Sequence, residues 1–306
     1  MQNRTIEYAL LGLLALLWGS SYMWIGIALD TIPPATLIAI RVALASWVLL
    51  AIMSMRGMRL PTDAPTWRLF FVQSLVNSTG PWLLLAWGQQ YAGTAVSSVL
   101  NSTSPLWVFA LSFLVLKTGH RPSGRQLVGA LAGFAGIVLI VGIGALENLC
   151  QNLLPQLAVL FSAALYGMSA LRGRHFAGMP PIVPATGTLL CSSLVLIPLS
   201  LLTEKPWQLS PDLAGLGSAV FLGVVCTALA FLIYFRLLST LGAMGTASQA
   251  YLRSGVGVFL GVVFLSESLN LETFAGICLA IFGVILINWP GAGKPKPAAP
   301  AVKETT

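Results

Sequence analysis

The 306 residues carry 57% hydrophobic and only 8% charged side chains, against roughly 45–50% and 25% in soluble domains. A soluble fold this apolar would lack a polar surface. The formal net charge of +7 does not point to nucleic acid, because that reading needs a basic face on a soluble domain, and here the bases sit in short breaks between apolar runs.

Those runs are about 20 residues long, the length at which a helix rising ~1.5 Å per residue crosses a hydrocarbon core of ~30 Å. In chain order they fall near 6–29, 35–55, 68–91, 95–116, 124–143, 153–172, 182–203, 213–236, 244–265 and 272–289. The chain therefore reads as an all-α membrane protein of ten transmembrane helices. The first run is too long for a signal-peptide core and is followed by no small-residue cleavage site, so it counts as a span. Segment 290–306, with Pro, Gly, Ala and Lys and no apolar periodicity, reads as a disordered tail. The cysteines Cys150, Cys191, Cys226 and Cys278 form no metal-type pair and read as small apolar fillers.

With the N-terminus in the cytoplasm, that side receives Arg4, Arg56, Arg59, Arg68, Lys117, Arg121, Arg125, Arg172, Arg174, Arg236, Lys294, Lys296 and Lys303. Only Lys205 falls in a loop on the other side. This positive-inside pattern places both termini in the cytoplasm and supports the span count, since one missed helix would scramble the alternation.

The sequence also repeats at a spacing of about 147 residues. Ile32-Pro33-Pro34 returns as Met179-Pro180-Pro181, and Gly129 with Gly136-Ile137-Val138-Leu139-Ile140 returns as Gly276 with Gly283-Val284-Ile285-Leu286-Ile287. The first Pro-Pro pair falls in an outer loop and the second in an inner one. Duplication of an odd number of spans has that result, giving two inverted five-helix repeats over 1–147 and 148–289. Such inverted halves allow two nearly equivalent arrangements, one open to each side of the membrane, and so favour transport by alternating access.

Two ionisable residues lie well inside the apolar runs, Arg41 and Arg253. A charge there costs at least ~2.5–3.5 kcal/mol unless it is solvated or paired. Arg41 sits about 10 Å below the outer end of its span, at ~1.5 Å per residue, so it can either snorkel outward or face the interior. Arg253 lies too deep for that and must meet a wet cavity or a partner such as Gln249, Asn101 or Asn77. Without a buried acid, its planar fork suits a substrate carboxylate or phosphate. The polar runs Trp18-Gly19-Ser20-Ser21-Tyr22, Asn77-Ser78-Thr79-Gly80-Pro81-Trp82 and Asn101-Ser102-Thr103-Ser104-Pro105 must largely face the bundle interior, as helix contacts or as a polar cavity near the midplane. Trp18, Trp82, Tyr166 and Tyr251 are aromatic residues placed to line it. Gly129 with Gly133, and Gly257 with Gly261, have the four-residue spacing of close helix packing.

No Asp or Glu lies near the middle of any span, and His120 and His175 fall in loops. Proton relays through membranes normally use buried Asp, Glu or His, so proton coupling through a buried carboxylate is not expected. No catalytic or metal-ligand set can be assembled inside the bundle, so the chain does not read as an enzyme, and no cofactor is expected.

Leu17-Trp18-Gly19-Ser20-Ser21 in the first span, Pro34-Ala35 with Ile40-Arg41 in the second, and Phe264-Leu265-Ser266-Glu267-Ser268-Leu269 with Gly276 and Gly283-Val284-Ile285-Leu286 near the end form an ordered set. Over about 8–289 this set resembles the EamA-type ten-span exporters of the drug/metabolite transporter superfamily. Lys117-Thr118-Gly119-His120 stands where that family usually repeats its Glu motif, and Tyr251-Leu252-Arg253 is unusual for the ninth helix. The resemblance implies export of amino acids or related metabolites from a bacterial inner membrane. The residues themselves ask for an anionic group at Arg253 and Arg41 and an apolar part against Trp18, Tyr22, Trp82, Tyr166 and Tyr251, with Asn77, Asn101 and Gln249 as polar contacts. Hydrophobic or aromatic amino acids meet both demands. A phosphate- or nucleotide-sugar-type exchanger is the rival within the class, and a non-transporting receptor or scaffold the rival outside it. The expected partners are a small-molecule substrate and the lipid bilayer.

Overall fold

The computed structural model describes residues 4–92, 94–115, 123–141, 153–253, 256 and 271–289, which are helical or in short connections, with no strand among them. The helices are α1 (Arg4–Leu29), α2 (Pro34–Met55), α3 (Ala64–Ser74), α4 (Gly80–Ala92), α5 (Thr94–Asn101), α6 (Ser104–Val115), α7 (Gly124–Val141), α8 (Leu153–Arg172), α9 (Ile182–Thr203), α10 (Leu213–Gly223), α11 (Ala230–Thr240), α12 (Gly242–Ala247) and α13 (Leu271–Asn288). A π turn, Leu75–Thr79, joins α3 to α4, and a second, Val224–Leu229, joins α10 to α11. Among the described residues six helical stretches are long and apolar enough to cross a membrane, and Gly124–Ile140 and Phe274–Asn288 are shorter apolar helices. The expected fourth span is α5 and α6, broken at Ser102-Thr103. The expected ninth, 244–265, begins in α12; its residues 254–255 and 257–265 lie outside the described ones. Gly257, Gly261, His120, Cys150 and the expected tail 290–306 also lie outside them.

The core is mainly apolar, but the surface is too, and many polar side chains are buried. Trp47, Phe161, Leu194, Leu202 and Phe282 are exposed, while Gln73, Ser74, Asn77, Ser78, Ser97, Asn101, Ser162, Thr186, Thr188 and Ser192 are buried. A bilayer inverts the solvent preference of a surface in this way: apolar side chains meet lipid, and polar ones find partners only inside. Helix starts are fixed by carboxylates. Asp63 accepts from the Thr66 N–H (2.9 Å) ahead of α3, and Asp212 accepts from the Gly215 N–H (2.8 Å) ahead of α10. Pro33 and Pro34 leave α2 without a local cap, and Glu204 at the end of α9 takes the Ala35 and Thr36 N–H groups instead, at 2.9 and 2.6 Å. Orphan donors at a helix start need such acceptors.

Pairings between the halves are reciprocal. α1 packs on α10 as α4 packs on α8, and α2 meets α9 while α7 meets α13. On α7 and α13, Gly129 faces Gly283 and Gly136 faces Gly276; a Cβ at Gly129 would sit 2.8 Å from the Gly283 carbonyl oxygen, and one at Gly276 2.7 Å from that of Gly136. These crossed contacts make α7 and α13 antiparallel, and each glycine removes the side chain that would hold the backbones apart. Between α2 and α9, the Ser46 and Ser193 hydroxyls, 147 residues apart in the chain, hydrogen-bond each other at 3.2 Å.

Candidate functional site

Where α1, α2, α4, α8 and the segment after α12 converge, they enclose a cavity lined by Trp18, Ser21, Tyr22, Ile25, Arg41, Trp82, Leu85, Tyr166 and Arg253. The α1 residues lie at i, i+3, i+4 and i+7, one helical face. Free space is about 20 Å³, room for about one water molecule. The site is thus collapsed, and a metabolite needs side chains or helices to move apart.

Arg41 does not reach outward. It is buried, with Nε donating to Thr227 Oγ1 at 2.6 Å and Nη2 to the Cys226 carbonyl at 3.4 Å, and its guanidinium lies 4.1 Å from the Trp82 ring centroid. A desolvated cation over indole gains on the order of 2 kcal/mol. The Cys226 carbonyl also accepts from Trp18 Nε1 at 3.1 Å. Both acceptors belong to the π turn, and the Thr227 hydroxyl donates back to the Leu222 carbonyl at 2.7 Å. A π turn shifts the helical hydrogen-bond ladder by one residue, which turns a backbone carbonyl toward other partners.

Arg253 is also buried. Its guanidinium lies 5.8 Å from the Tyr22 ring centroid, and its Nε finds no hydrogen-bond partner among the described residues. None of Asn77, Asn101 and Gln249 bonds to it there. Gly19 sets its position: a Cβ there would lie 2.9 Å from the Arg253 carbonyl oxygen, so the glycine lets α1 come within backbone contact. The run Trp18-Gly19-Ser20-Ser21-Tyr22 thus supplies a hydrogen bond to the π turn, a close approach to Arg253 and three lining residues, Trp18, Ser21 and Tyr22.

The remaining expected site residues fall in two groups. Asn101 is buried beside the cavity, and its Nδ2 donates to the Tyr22 hydroxyl at 2.8 Å while its Oδ1 is unpartnered. Asn77, Gln249 and Tyr251 are buried but do not line the cavity. Tyr251 donates to the Ala130 carbonyl at 2.7 Å and lies against Gly133, which makes it a helix-interface residue. Thr227 and the Cys226 carbonyl were not singled out from sequence. The signal available was one hydroxyl inside the apolar run Val224–Leu229; the cysteine side chain itself is a buried filler, as is that of Cys191.

Aromatic rings close one side of the cavity. Trp18 meets Phe231 (6.4 Å) and Tyr234 (5.4 Å), Trp82 meets Phe231 (5.5 Å), Phe231 meets Phe235 (6.0 Å), Phe235 meets Phe176 (5.6 Å), and Phe176 stacks on Phe70 (6.0 Å). Beyond them Arg236 at the end of α11 is tied to Glu7 at the start of α1 by a 2.7 Å ion pair, with Thr240 donating to the same carboxylate.

Among the described residues no group of His, Cys, Asp and Glu is placed to hold a metal ion. In comparisons with known proteins, the model of the EamA-like transporter family matches twice, over 5–142 and 153–289. The inner membrane transporter YedA of Escherichia coli is 23% identical over 275 residues, covering 90% of this chain and 88% of that protein. PecM of Dickeya dadantii is 27% identical (89% and 88%), and the transporter YvbV of Bacillus subtilis 24% (93% and 92%). A crystal structure of a protein 20% identical superposes with a TM-score of 0.75, over 91% of this chain and 96% of that one, which shows a shared fold. With both halves matched, the chain belongs to the EamA-like transporter family and is a two-repeat membrane transporter.

Proposed function

We propose that this transporter carries small metabolites bearing an anionic group beside an apolar part, by alternating access through the cavity at Arg41 and Arg253. The observation that carries this is the convergence of two buried guanidinium groups on one aromatic-walled cavity, with no carboxylate among the described residues that line it. Uncompensated, each is costly, and an anionic ligand supplies what the protein withholds. Amino acids, the class expected from sequence, offer a carboxylate to the arginines and, when hydrophobic or aromatic, a side chain to Trp18, Tyr22, Trp82 and Tyr166. Export across the cell inner membrane, with both termini cytoplasmic, fits the distribution of basic residues and the naming of YedA as an inner membrane protein.

Ten spans in two five-helix halves of opposite orientation, 1–147 and 148–289, complete the reading. The antiparallel α7 and α13 and the Ser46–Ser193 bond between repeat-related positions support it. In that topology the rings from Trp18 to Phe70 lie on the cytoplasmic side of the cavity and form its closed gate. Proteoliposomes loaded with a panel of radiolabelled amino acids and organic acids test the proposal. Wild-type protein should move at least one compound, and Arg253→Ala, eluting as folded protein, should lose that flux. Normal transport by Arg253→Ala would remove this cavity as the site, and no flux of any compound by wild-type protein would favour a receptor or scaffold. Reporter fusions at both termini check the topology.

A further inference from the structure

Counting charge in the cavity narrows the ligand further than its shape does. Arg41 and Arg253 bring two positive charges, with 3% and 7% of their surface exposed. The carboxylates of the described residues are engaged elsewhere or exposed: Glu7 with Arg236, Asp63 and Asp212 at helix starts, Glu204 on α2, and Asp30 and Glu272 on the surface. A zwitterionic amino acid adds one negative and one positive charge, so the enclosed site keeps its full excess. Its ammonium would also lie among guanidiniums with no acid among the described lining residues to receive it. The Cys226 carbonyl, the main-chain acceptor turned toward Arg41, already takes Trp18 and Arg41. Asn101 Oδ1 is an unpartnered acceptor near Tyr22, but it is neutral and leaves the charge balance unchanged. In a low-dielectric site a like charge a few ångströms away is strongly disfavoured, whereas a lone carboxylate or another anion is favoured.

We infer that the preferred ligand is a net anion without an ammonium group, an organic acid whose carboxylate meets Arg41 and Arg253 and whose apolar or aromatic body lies against Trp18, Tyr22, Trp82 and Tyr166. This rests on the transport reading and refines it: the carboxylate that amino acids offer is the recognised part, and their ammonium is a handicap. Arg253, whose Nε is unpartnered, is the free arm of the clamp; Arg41, already held by the π turn and stacked on Trp82, is the fixed one.

Three compounds with the same ring and chain separate the cases: 3-phenylpropionate, L-phenylalanine and 2-phenylethylamine. In proteoliposomes containing the full-length protein, 3-phenylpropionate should be taken up with at least tenfold higher apparent affinity than L-phenylalanine, and 2-phenylethylamine should neither enter nor compete. Arg253→Gln should lower the affinity for 3-phenylpropionate at least tenfold and narrow its lead over L-phenylalanine, while Arg253→Lys keeps the lead. Equal or better transport of L-phenylalanine overturns the inference and leaves the transport reading standing. Failure to move any of the three also overturns it, and the transport reading falls with it only if the wider panel gives no flux either. If Arg253→Gln elutes misfolded, the ranking of the three compounds on the wild-type protein decides alone.

Discussion

The two π turns do different things with the same geometry. Each lies in the third helical stretch of its half, and each places a hydroxyl that bonds back to its own helix, Ser78 to the Ser74 carbonyl and Thr227 to that of Leu222. Across from the first turn, on α9, stands Ser192, which bonds Ser78 and Thr79. Across from the second, on α2, stands Arg41. The repeated scaffold therefore carries hydroxyls on one side of the two-fold arrangement and a cation on the other. A duplicated fold supplies the two-way geometry, and function is written where the copies stop matching.

If that contrast is correct, the charged turn is sensitive and the hydroxyl turn tolerant. Arg41→Leu removes two hydrogen bonds, one charge and a ring contact. With ~1.5–3 kcal/mol for a charge-assisted hydrogen bond, transport affinity should fall roughly 10- to 100-fold. Ser192→Ala should change it less than about threefold, since hydrogen bonds inside membranes average ~0.6 kcal/mol. Uptake kinetics of the two variants side by side decide this, and equal losses would show that the asymmetry has no functional meaning. Next in size is Gly19→Ala. Its Cβ would press on the Arg253 carbonyl from 2.9 Å, forcing α1 and the backbone at Arg253 apart and moving the guanidinium away from Tyr22. Affinity should drop about tenfold, as overpacking costs typically ~1–3 kcal/mol. Unchanged uptake would break the link between the Trp-Gly run and Arg253.

The helices were legible because their apolar runs matched a bilayer in length: 182–203 was expected and Ile182–Thr203 found, and 35–55 became Pro34–Met55. The π turns were not, since a shifted hydrogen-bond ladder needs no special residue, whereas the break at Ser102-Thr103 had a signal in Pro105, which removes a helical hydrogen bond. In the site, a charge inside an apolar run marked Arg41 and Arg253, and the inverted repeat pointed to one shared cavity, but the chain does not say which of the other polar and aromatic side chains line it. Side-chain type singled out Tyr251 as readily as Tyr166. Only the fold separates them, because Tyr251 meets the gap left by Gly133 while Tyr166 turns toward the arginines. The Cys226 carbonyl had no side-chain signature at all.

Smaller effects test whether the scaffold is as symmetric as the site is not. The Ser46 and Ser193 hydroxyls lie 3.2 Å apart, and each is also within reach of its own helix, Ser46 of the Val42 carbonyl at 2.7 Å and Ser193 of the Leu189 carbonyl at 2.9 Å; with one proton each, one hydroxyl donates across while the other donates to its helix, and the roles can exchange. Ser46→Ala and Ser193→Ala should therefore lower the thermal stability of the purified protein equally, by about 0.6 kcal/mol each. The double variant should cost less than their sum, because the shared bond is lost only once. Unequal single effects would mean that the two halves do not bear on each other alike at this contact.

The smallest expected effect concerns the cap on α3. The Thr66 hydroxyl and, after it, the Thr66 N–H hold the exposed Asp63 carboxyl below its usual range, which is near pKa ~3.9 in an unfolded chain. A depressed carboxyl stabilises the folded state in full above the unfolded value and loses that contribution as pH falls through the folded one. Asp63→Asn keeps an acceptor but removes the titration. The stability gap between wild type and Asp63→Asn, followed by thermal unfolding in detergent, should hold steady above about pH 5 and close as pH drops below the unfolded value. A gap that widens on acidification would show that the capped helix start does not hold the ionised form.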